Sequence, residues 1–402
     1  MRQAIRVALA LLVVTVSVSG AAAAVGANGL EPRLTKSLSG PSVSLGRTGA
    51  LAVDMATGAT IYAHNSNVPF APASNEKIPV SFAALVRLGA GYRFHTDVYG
   101  VGDRAGPAWD GDLVLKGFGD PTLSSADIDR LAATIRGRGI RSITGRVLGD
   151  ESFYDSRRAA AGWKRSFVGG ETPPLSALIV DRARGWPALS PPLLAARALS
   201  DALGRRGVAV AGRPGLGLAG PSATTLASDT SDPLAALVKR MNRESDNFYA
   251  EMLLKQLPAA SGNVGTSAAG GRIVTATMRD ADVPVAGVRI VDGSGLSSLN
   301  RLTAAALVGV LRAGAADPLI ARPFIDSLAV TGSSGTLSSR LPALRGVVKG
   351  KTGTTSLSCT LSGLIGRRIA FAVLENGNPV SSWAARSAQD RFVTILATMP
   401  TG

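Results

Sequence analysis

The chain has 402 residues, with 43 lysines and arginines against 28 aspartates and glutamates, so its net charge is +15 at neutral pH. Hydrophobic residues make up 46% of it, which is enough for a buried core and excludes global disorder. With two histidines and one cysteine it cannot form a cysteine-type zinc site, an iron–sulfur cluster or a disulfide framework. We therefore expect no cofactor. The basic residues are spread along the chain, so we expect no nucleic-acid partner.

The first 24 residues are typical of a secretory signal peptide. Arg2 and Arg6 precede an apolar run over 7–18, and small residues follow at 21–24. We expect cleavage near Ala24, which predicts an exported protein of the cell envelope or the extracellular space. If it is not cleaved, the hydrophobic segment has about the length needed to anchor the chain in a membrane.

Hydrophobic periodicity predicts both strands and helices along the chain. Alternation from Gly49 onward predicts a hairpin that turns at 56–58. Further strands are predicted at 94–101, 112–116, 143–149, 346–354, 359–365 and 369–375. Helices are predicted at 74–88, 126–136, 193–203, 233–256, 268–280, 303–313 and 381–397.

The order of these elements predicts an insertion. The portions 30–95 and 230–402 have an α/β pattern, whereas 96–229 between them is β-rich. We predict that the two ends of the chain form one domain and that 96–229 forms one or more β-rich domains inserted into it.

Several familiar catalytic and binding motifs are absent or incomplete. His64 and His95 lie in strand-like contexts with no serine elbow nearby, which argues against a histidine-based hydrolase. A phosphate-binding loop ending at Lys351 would need glycine where the chain has Arg345. The cysteine, Cys359, lies in an alternating pattern that predicts a packed residue rather than a nucleophile.

Three short motifs remain, in a consistent order along the chain. Ser74 and Lys77 form S-x-x-K at the start of a predicted helix, where residues three apart share a face. Ser245 and Asn247 form S-x-N, and Lys351-Thr352-Gly353 forms K-T-G on a predicted strand. Each motif alone occurs by chance, but together they are typical of penicillin-binding proteins and serine β-lactamases.

The sequence resembles the D-alanyl-D-alanine carboxypeptidase/endopeptidases of the low-molecular-mass class C penicillin-binding proteins. The resemblance includes 119–123 (GDPTL), 292–296 (DGSGL) and 300–303 (NRLT), and covers most of the chain after the signal segment. It implies an α/β fold in which a penicillin-binding, serine β-lactamase-like transpeptidase domain, an antiparallel sheet with helices, carries the β-rich insert. The 171 positions from Ser74 to Ser245 fit such an insertion.

In an S-x-x-K site the lysine can act as a base only if its pKa is lowered. An amine with a pKa near 10.4 is protonated at neutral pH and cannot act as a base. Burial lowers such a pKa, and a second cation such as Lys351 beside Lys77 would lower it further.

The resemblance implies a role for each motif residue. Ser74 attacks the penultimate D-alanine carbonyl of a peptidoglycan stem peptide, and Lys77 takes its proton. Ser245 relays the proton to the leaving group, Asn247 holds the substrate amide, and Lys351 stays charged and attracts the terminal carboxylate. The strand residues Thr352, Gly353 and Thr354 bind the substrate, and β-lactam antibiotics would acylate the same serine.

Two alternatives to this peptidase remain open. A serine β-lactamase would need fast deacylation, which commonly depends on a glutamate beyond S-x-N, and the only glutamate between Asn247 and Lys351 is Glu251. The second alternative is a non-catalytic envelope protein that binds peptidoglycan. We also expect Pro79 to kink the helix that carries Ser74, and Asp120 and Asp292 to act as turn residues.

Overall fold

The structure is a computed structural model that describes residues 29–184 and 190–400. The predicted signal segment, 1–24, lies outside these residues. Within the described part of the chain, no helix combines the length and apolar character needed to cross a membrane.

The described residues contain two sheets with helices packed against them. The strands are β1 (Thr48–Asp54), β2 (Thr60–His64), β3 (His95–Ala105), β4 (Ala108–Gly117), β5 (Ser142–Ile143), β6 (Val147–Asp150), β7 (Ala209–Val210), β8 (Gly215–Leu216), β9 (Thr224–Thr230), β10 (Ala329–Val330), β11 (Val348–Thr354), β12 (Ser358–Ile365) and β13 (Ile369–Asn376). The helices are α1 (Leu30–Ser37), α2 (Lys77–Leu88), α3 (Ser125–Gly137), α4 (Phe167–Gly170), α5 (Pro191–Arg205), α6 (Leu234–Glu244), α7 (Asn247–Ala259), α8 (Ser267–Asp280), α9 (Ala304–Ala316), α10 (Ala321–Ser327) and α11 (Ser382–Ala397).

The first sheet is antiparallel and has the order β10-β11-β12-β13-β1-β2. The two ends of the chain meet where β1 pairs with β13, from Thr48 opposite Glu375 to Asp54 opposite Ile369. Both faces of the sheet are covered. Helices α2 and α6 to α10 pack on one face, and α1 and α11 pack on the other. Strand β11, which carries Lys351, pairs with β10 on one side and β12 on the other, so it is not an edge strand.

The second sheet contains β3 to β9, all of which lie within the segment 95–230. It combines antiparallel and parallel pairs, since β3 pairs antiparallel with β4 and β9, whereas β4 pairs parallel with β5 and β6. Helices α3 and α5 share its hydrophobic core. The segment 95–230 therefore combines strands with helices.

One portion of the insert leaves the second sheet and packs on the first domain. Tyr154, Leu175, Ala177 and Ile179 are buried in the same core as α7. The hydroxyl of Tyr154 donates a hydrogen bond to the carbonyl of Met252 on that helix, over 3.1 Å. The segment 151–183, as a result, runs along the helix whose first turn carries Asn247.

The predicted helix 233–256 is wrong in one respect, because it is two helices. Ser245 adopts a left-handed conformation, φ 59° and ψ 36°, which ends α6. Asp246 then caps α7 by accepting a hydrogen bond from the Tyr249 N–H. The break therefore places Ser245 at the end of α6 and Asn247 at the start of α7.

Candidate active site

Ser74 lies in a 3₁₀ turn, Ala73–Glu76, that leads directly into α2. The turn is fixed to the sheet because Asn75 donates a hydrogen bond to Thr360 on β12, over 2.5 Å. Its neighbours Ala73 and Asn75 are buried, whereas Ser74 is partly exposed. The turn therefore presents a single hydroxyl to solvent from an otherwise buried support.

Lys77 is fully buried, one turn after Ser74. Its Nζ lies 3.1 Å from Ser74 Oγ, 2.8 Å from Asn247 Oδ1 and 2.6 Å from the carbonyl oxygen of Ser294. Three acceptors from three parts of the chain thus hold the amine beside the serine hydroxyl.

The expected kink at Pro79 is absent. Because α2 begins at Lys77, Pro79 lies in the first turn of the helix, where a proline costs little. The contact between Lys77 and Ser74 is therefore intact.

The S-x-N and K-T-G motifs meet at the cleft that Ser74 lines. The buried Lys351 Nζ lies 2.8 Å from Ser245 Oγ and 2.7 Å from the carbonyl oxygen of Thr352. Asn247 bonds to Lys77 through its oxygen and to the Glu171 carbonyl through its nitrogen, over 3.1 Å. The five residues predicted to be catalytic thus converge, although their segments are far apart in sequence.

Thr352, Gly353 and Thr354 line the same cleft as Ser74. Gly353 makes this possible, because a Cβ there would lie 2.8 Å from the backbone nitrogen of Ser74. The cleft has a volume of about 350 Å³. It is lined by Ser74, Glu171, Ser245, Asn247, Gly295, Leu296, Thr336, Ser339, Arg340, Thr352, Gly353, Thr354, Thr355 and Arg386.

The two lysines differ in their electrostatic surroundings. Burial lowers the pKa of Lys77 to about 8, against the opposing effect of Asp292, Asp246, Glu251 and Glu76. Burial lowers the pKa of Lys351 well below its ordinary value, and the charge of Lys77 lowers it further. From sequence we expect Lys351 to lower the pKa of Lys77 and to stay charged itself. In the free site the reverse holds, because the charge of Lys77 lowers the pKa of Lys351. Repulsion between the amines is mutual, but the acids favour the charged form of Lys77.

Several residues of the site carry no recognisable motif. Arg182 forms an ion pair with Asp246, over 2.7 Å, and stacks on Tyr249 with its guanidinium carbon 5.1 Å from the ring centre. Glu171, Arg340 and Arg386 line the cleft. Since these residues belong to no motif, only the folded chain shows that they reach the site.

The two aspartates predicted as turn residues have different outcomes. Asp120 accepts hydrogen bonds from the N–H and the hydroxyl of Thr122, 2.8 and 2.6 Å away, as expected for a turn. Asp292 does more than that. It is fully buried and accepts hydrogen bonds from Trp163, Ser294, Gly295, Ser297 and Asn300. It thereby shapes the loop 292–300 that supplies Lys77 with a carbonyl acceptor.

The remaining residues considered from sequence lie away from the cleft. The ring of His64 bonds to the carbonyl of Leu45, and the ring of His95 stacks on Phe118. Cys359 is buried on β12, as predicted.

The pKa of Lys77 predicts a pH dependence for acylation of Ser74. Only the neutral amine can accept a proton, and with a pKa of about 8 roughly a tenth of it is neutral at pH 7. We expect the second-order rate constant of acylation by penicillin, which reports the free enzyme, to rise roughly tenfold from pH 7 to 9 and then to level off. Stopped-flow measurements with a fluorescent penicillin test this, and a midpoint above pH 10 would contradict the lowered pKa.

Gly295 predicts a strong mutational effect beside Ser74. Its φ is +86°, and a Cβ there would collide with the carbonyl oxygen of Ala73. We expect Gly295→Ala to displace the serine turn and to lower the acylation rate roughly 10²-fold. Gly262→Ala is the matched control, because Gly262 has φ +82° but open space around it. The control should lose about 1 kcal/mol of stability and keep its acylation rate. Equal rates in the two variants would contradict the collision.

The comparisons with known proteins agree with this geometry. A model of the D-Ala-D-Ala carboxypeptidase 3 (S13) family matches residues 30–193 and 186–399. Carboxypeptidase DacB of Mycolicibacterium smegmatis is 33% identical over 93% of this chain and 85% of its own length. A D-alanyl-D-alanine carboxypeptidase of an Actinomadura species is 29% identical over 90% of this chain and 83% of its own.

The fold is also found among solved structures. Penicillin binding protein 4 of Haemophilus influenzae superposes with a TM-score of 0.81 at 20% identity, over 92% of this chain and 99% of the other. The architecture is therefore that of a penicillin-binding protein, in which a sheet with helices carries a second sheet-containing portion. The chain belongs to the D-Ala-D-Ala carboxypeptidase 3 (S13) family. It is thus an enzyme of the carboxypeptidase type.

Proposed function

We propose that this protein is an exported serine peptidase that cleaves the bond between the two terminal D-alanines of peptidoglycan stem peptides. The observation that carries the proposal is the contact of 3.1 Å between the buried Lys77 amine and the Ser74 hydroxyl. With histidine absent from the cleft, this lysine is the base available to the serine.

The reaction would begin with proton transfer from Ser74 Oγ to Lys77 Nζ while the oxygen attacks the penultimate D-alanine carbonyl. The backbone N–H groups of Ser74 and Thr354 would stabilise the oxyanion. Ser245 Oγ would relay this proton from Lys77 to the nitrogen of the leaving D-alanine, so that both residues regain their starting protonation. Water would then hydrolyse the ester on Ser74, with the neutral Lys77 accepting its proton. Asn247 would hold the substrate amide.

The cations of the cleft suit the free carboxylate at the end of the substrate. Lys351 lies behind the cleft, Arg340 and Arg386 line it, and Thr352 offers a hydroxyl on the same strand. A bound carboxylate would favour the charged form of Lys351. That added charge would in turn favour the neutral form of Lys77, so substrate binding would prepare the base.

The same site accounts for the proposed partners and location. The strained amide of a β-lactam would acylate Ser74 as the substrate does, so these antibiotics would be covalent inhibitors. Peptidoglycan lies outside the cytoplasmic membrane, and this agrees with export directed by residues 1–24. Cleavage of cross-links, an endopeptidase activity, would use the same acyl-enzyme.

The decisive experiment uses the purified protein with a muramyl pentapeptide and, separately, a cross-linked muropeptide dimer. We expect free D-alanine from the first, while the second reports endopeptidase activity. Benzylpenicillin should add one adduct to the intact protein, on the peptide that contains Ser74. If penicillin forms no adduct and no D-alanine appears, the protein is a binding module rather than an enzyme.

A serine β-lactamase is a second candidate because a glutamate, Glu171, lines the cleft and could activate the water that hydrolyses the acyl-enzyme. Glu251 does not line the cleft, but Glu171 does, and its carbonyl bonds to Asn247. We expect a long-lived penicilloyl adduct. Rapid, repeated penicillin hydrolysis that is lost in Glu171→Gln would instead favour the β-lactamase.

A further inference from the structure

The loop 292–300 supports the Lys77 amine through one peptide group. The Ser294 carbonyl accepts a hydrogen bond from Lys77 Nζ at 2.6 Å, the shortest of the three contacts of that amine. An acceptor can fix an amine only if the acceptor itself is fixed. The groups that hold the backbone on both sides of the Ser294 carbonyl therefore also decide where the amine lies. The peptide group that carries this carbonyl is held by Asp292, whose Oδ1 accepts a hydrogen bond from the Gly295 N–H over 2.8 Å.

Glu251, on α7, holds the two peptide groups that come just before the one that carries the Ser294 carbonyl. Its Oε1 accepts hydrogen bonds from the N–H groups of Gly293, over 2.8 Å, and Ser294, over 3.0 Å. Glu251 is fully buried and four residues after Asn247, so both lie on one face of the helix. This face thus contacts Lys77 directly through Asn247 and indirectly through Glu251.

The charges around Lys77 give Glu251 a second, electrostatic connection to it. The carboxyl groups that favour the charged amine are Asp292, Asp246, Glu251 and Glu76, and the facing cation is Lys351. Burial raises the pKa of Glu251 to about 8, close to that of Lys77. The two groups therefore titrate over the same pH range.

We propose that Glu251 is a positioning residue for acylation: by binding the N–H groups of Gly293 and Ser294 it directs the Ser294 carbonyl at Lys77 and keeps that amine on Ser74. The inference rests on the proposed function, because it assigns Lys77 as the base. It goes beyond it by giving a task to a buried carboxyl group that touches neither the substrate nor Ser74.

The test compares Glu251→Ala and Glu251→Gln in the full chain. Active sites are counted by the penicillin burst, so that unfolded protein does not enter the rate constant. Glu251→Ala leaves two buried N–H groups unpaired and should lower the saturated acylation rate constant roughly tenfold or more, with little change in penicillin affinity. Glu251→Gln keeps a carbonyl acceptor and should retain the rate within a few-fold.

The pH profile separates positioning from folding. Because Gln cannot ionise, Glu251→Gln removes one of the acids that favour the charged Lys77, and the midpoint of acylation should move to lower pH. The matched controls are Asp120→Ala and Asp120→Asn. Like Glu251, Asp120 is a buried carboxyl group that accepts a hydrogen bond from a loop N–H, but it is not among the groups that shift the pKa of Lys77. These controls should change thermal stability and leave the rate constant per active site and the midpoint unchanged.

The outcomes are distinct. A wild-type protein that penicillin does not acylate would refute the proposed function itself. An acylated wild type together with a Glu251→Ala variant of unaltered rate constant would overturn the positioning role alone. If Glu251→Ala does not fold, Glu251→Met decides, because it fills the same space without an acceptor: a rate constant equal to that of the wild type would overturn the positioning role.

Discussion

Replacing Ser74 by alanine is expected to lower the rate of D-alanine release by roughly 10⁴- to 10⁶-fold, because the acyl-enzyme cannot form. The substitution removes one oxygen and leaves Lys77 bonded to Asn247 and Ser294, so the cleft should keep its shape. Release of D-alanine and the mass of the intact protein after benzylpenicillin measure the effect. Pentapeptide affinity, measured by calorimetry, should change little.

Ser81→Ala is the matched control for this variant. Ser81 is a buried serine on α2, one turn after Lys77, and its hydroxyl bonds to the Lys77 carbonyl over 2.6 Å. Its loss should cost about 1 kcal/mol of stability and leave the covalent adduct intact. A penicillin adduct of normal stoichiometry on the Ser74→Ala protein would refute the assignment of the nucleophile.

Replacement of Lys77 should have the second largest effect. In Lys77→Met the proton acceptor is gone, and we expect acylation to fall roughly 10²- to 10⁴-fold. Lys77→Arg separates the base from the charge, because a guanidinium is a cation that cannot give up its proton in a protein. Both variants should be slow, and in both the rise of the acylation rate near pH 8 should disappear.

Comparison of the two variants can refute the role of Lys77 as the base. If Lys77→Arg acylates at close to the wild-type rate, a fixed positive charge is sufficient and Lys77 is not the base. The stopped-flow assay with fluorescent penicillin gives both rates, and thermal unfolding shows whether each variant is folded.

The motifs and the elements that carry them could be predicted because their signals are local. A strand alternates over 348–354 and a helix begins beside Ser74, and each pattern is contained within a few residues. The motifs also indicated the family, which the comparisons confirm. That the motifs form one cleft came from the family resemblance rather than from periodicity.

The break between α6 and α7 could not be predicted, because the sequence around Ser245 is compatible with a continuous helix. Its left-handed conformation goes with a hydrogen bond from Lys351, which lies 106 residues further on. The same holds for Glu171 and Arg182, which reach α7 only because the insert folds back. Interactions over such separations leave no pattern in a short window of sequence.

The pKa of Lys77 illustrates a further limit. Sequence reasoning identified the two lysines and correctly named burial as a cause of the lowered pKa. It did not find the acids that act on Lys77, three of which, Asp246, Glu251 and Asp292, lie more than 150 positions further along the chain. Only coordinates show which lysine the acids surround.

The return of 151–183 to α7 bears on how this protein can change its architecture. The insert is not a detachable accessory, because it supplies the Glu171 carbonyl to Asn247 and the Arg182 guanidinium to Asp246. A shortened descendant that joined Phe94 directly to Asp232 would lose both braces. A shorter insert would therefore need to keep the segment 151–183, which makes both contacts with α7, even if it lost strands of the second sheet.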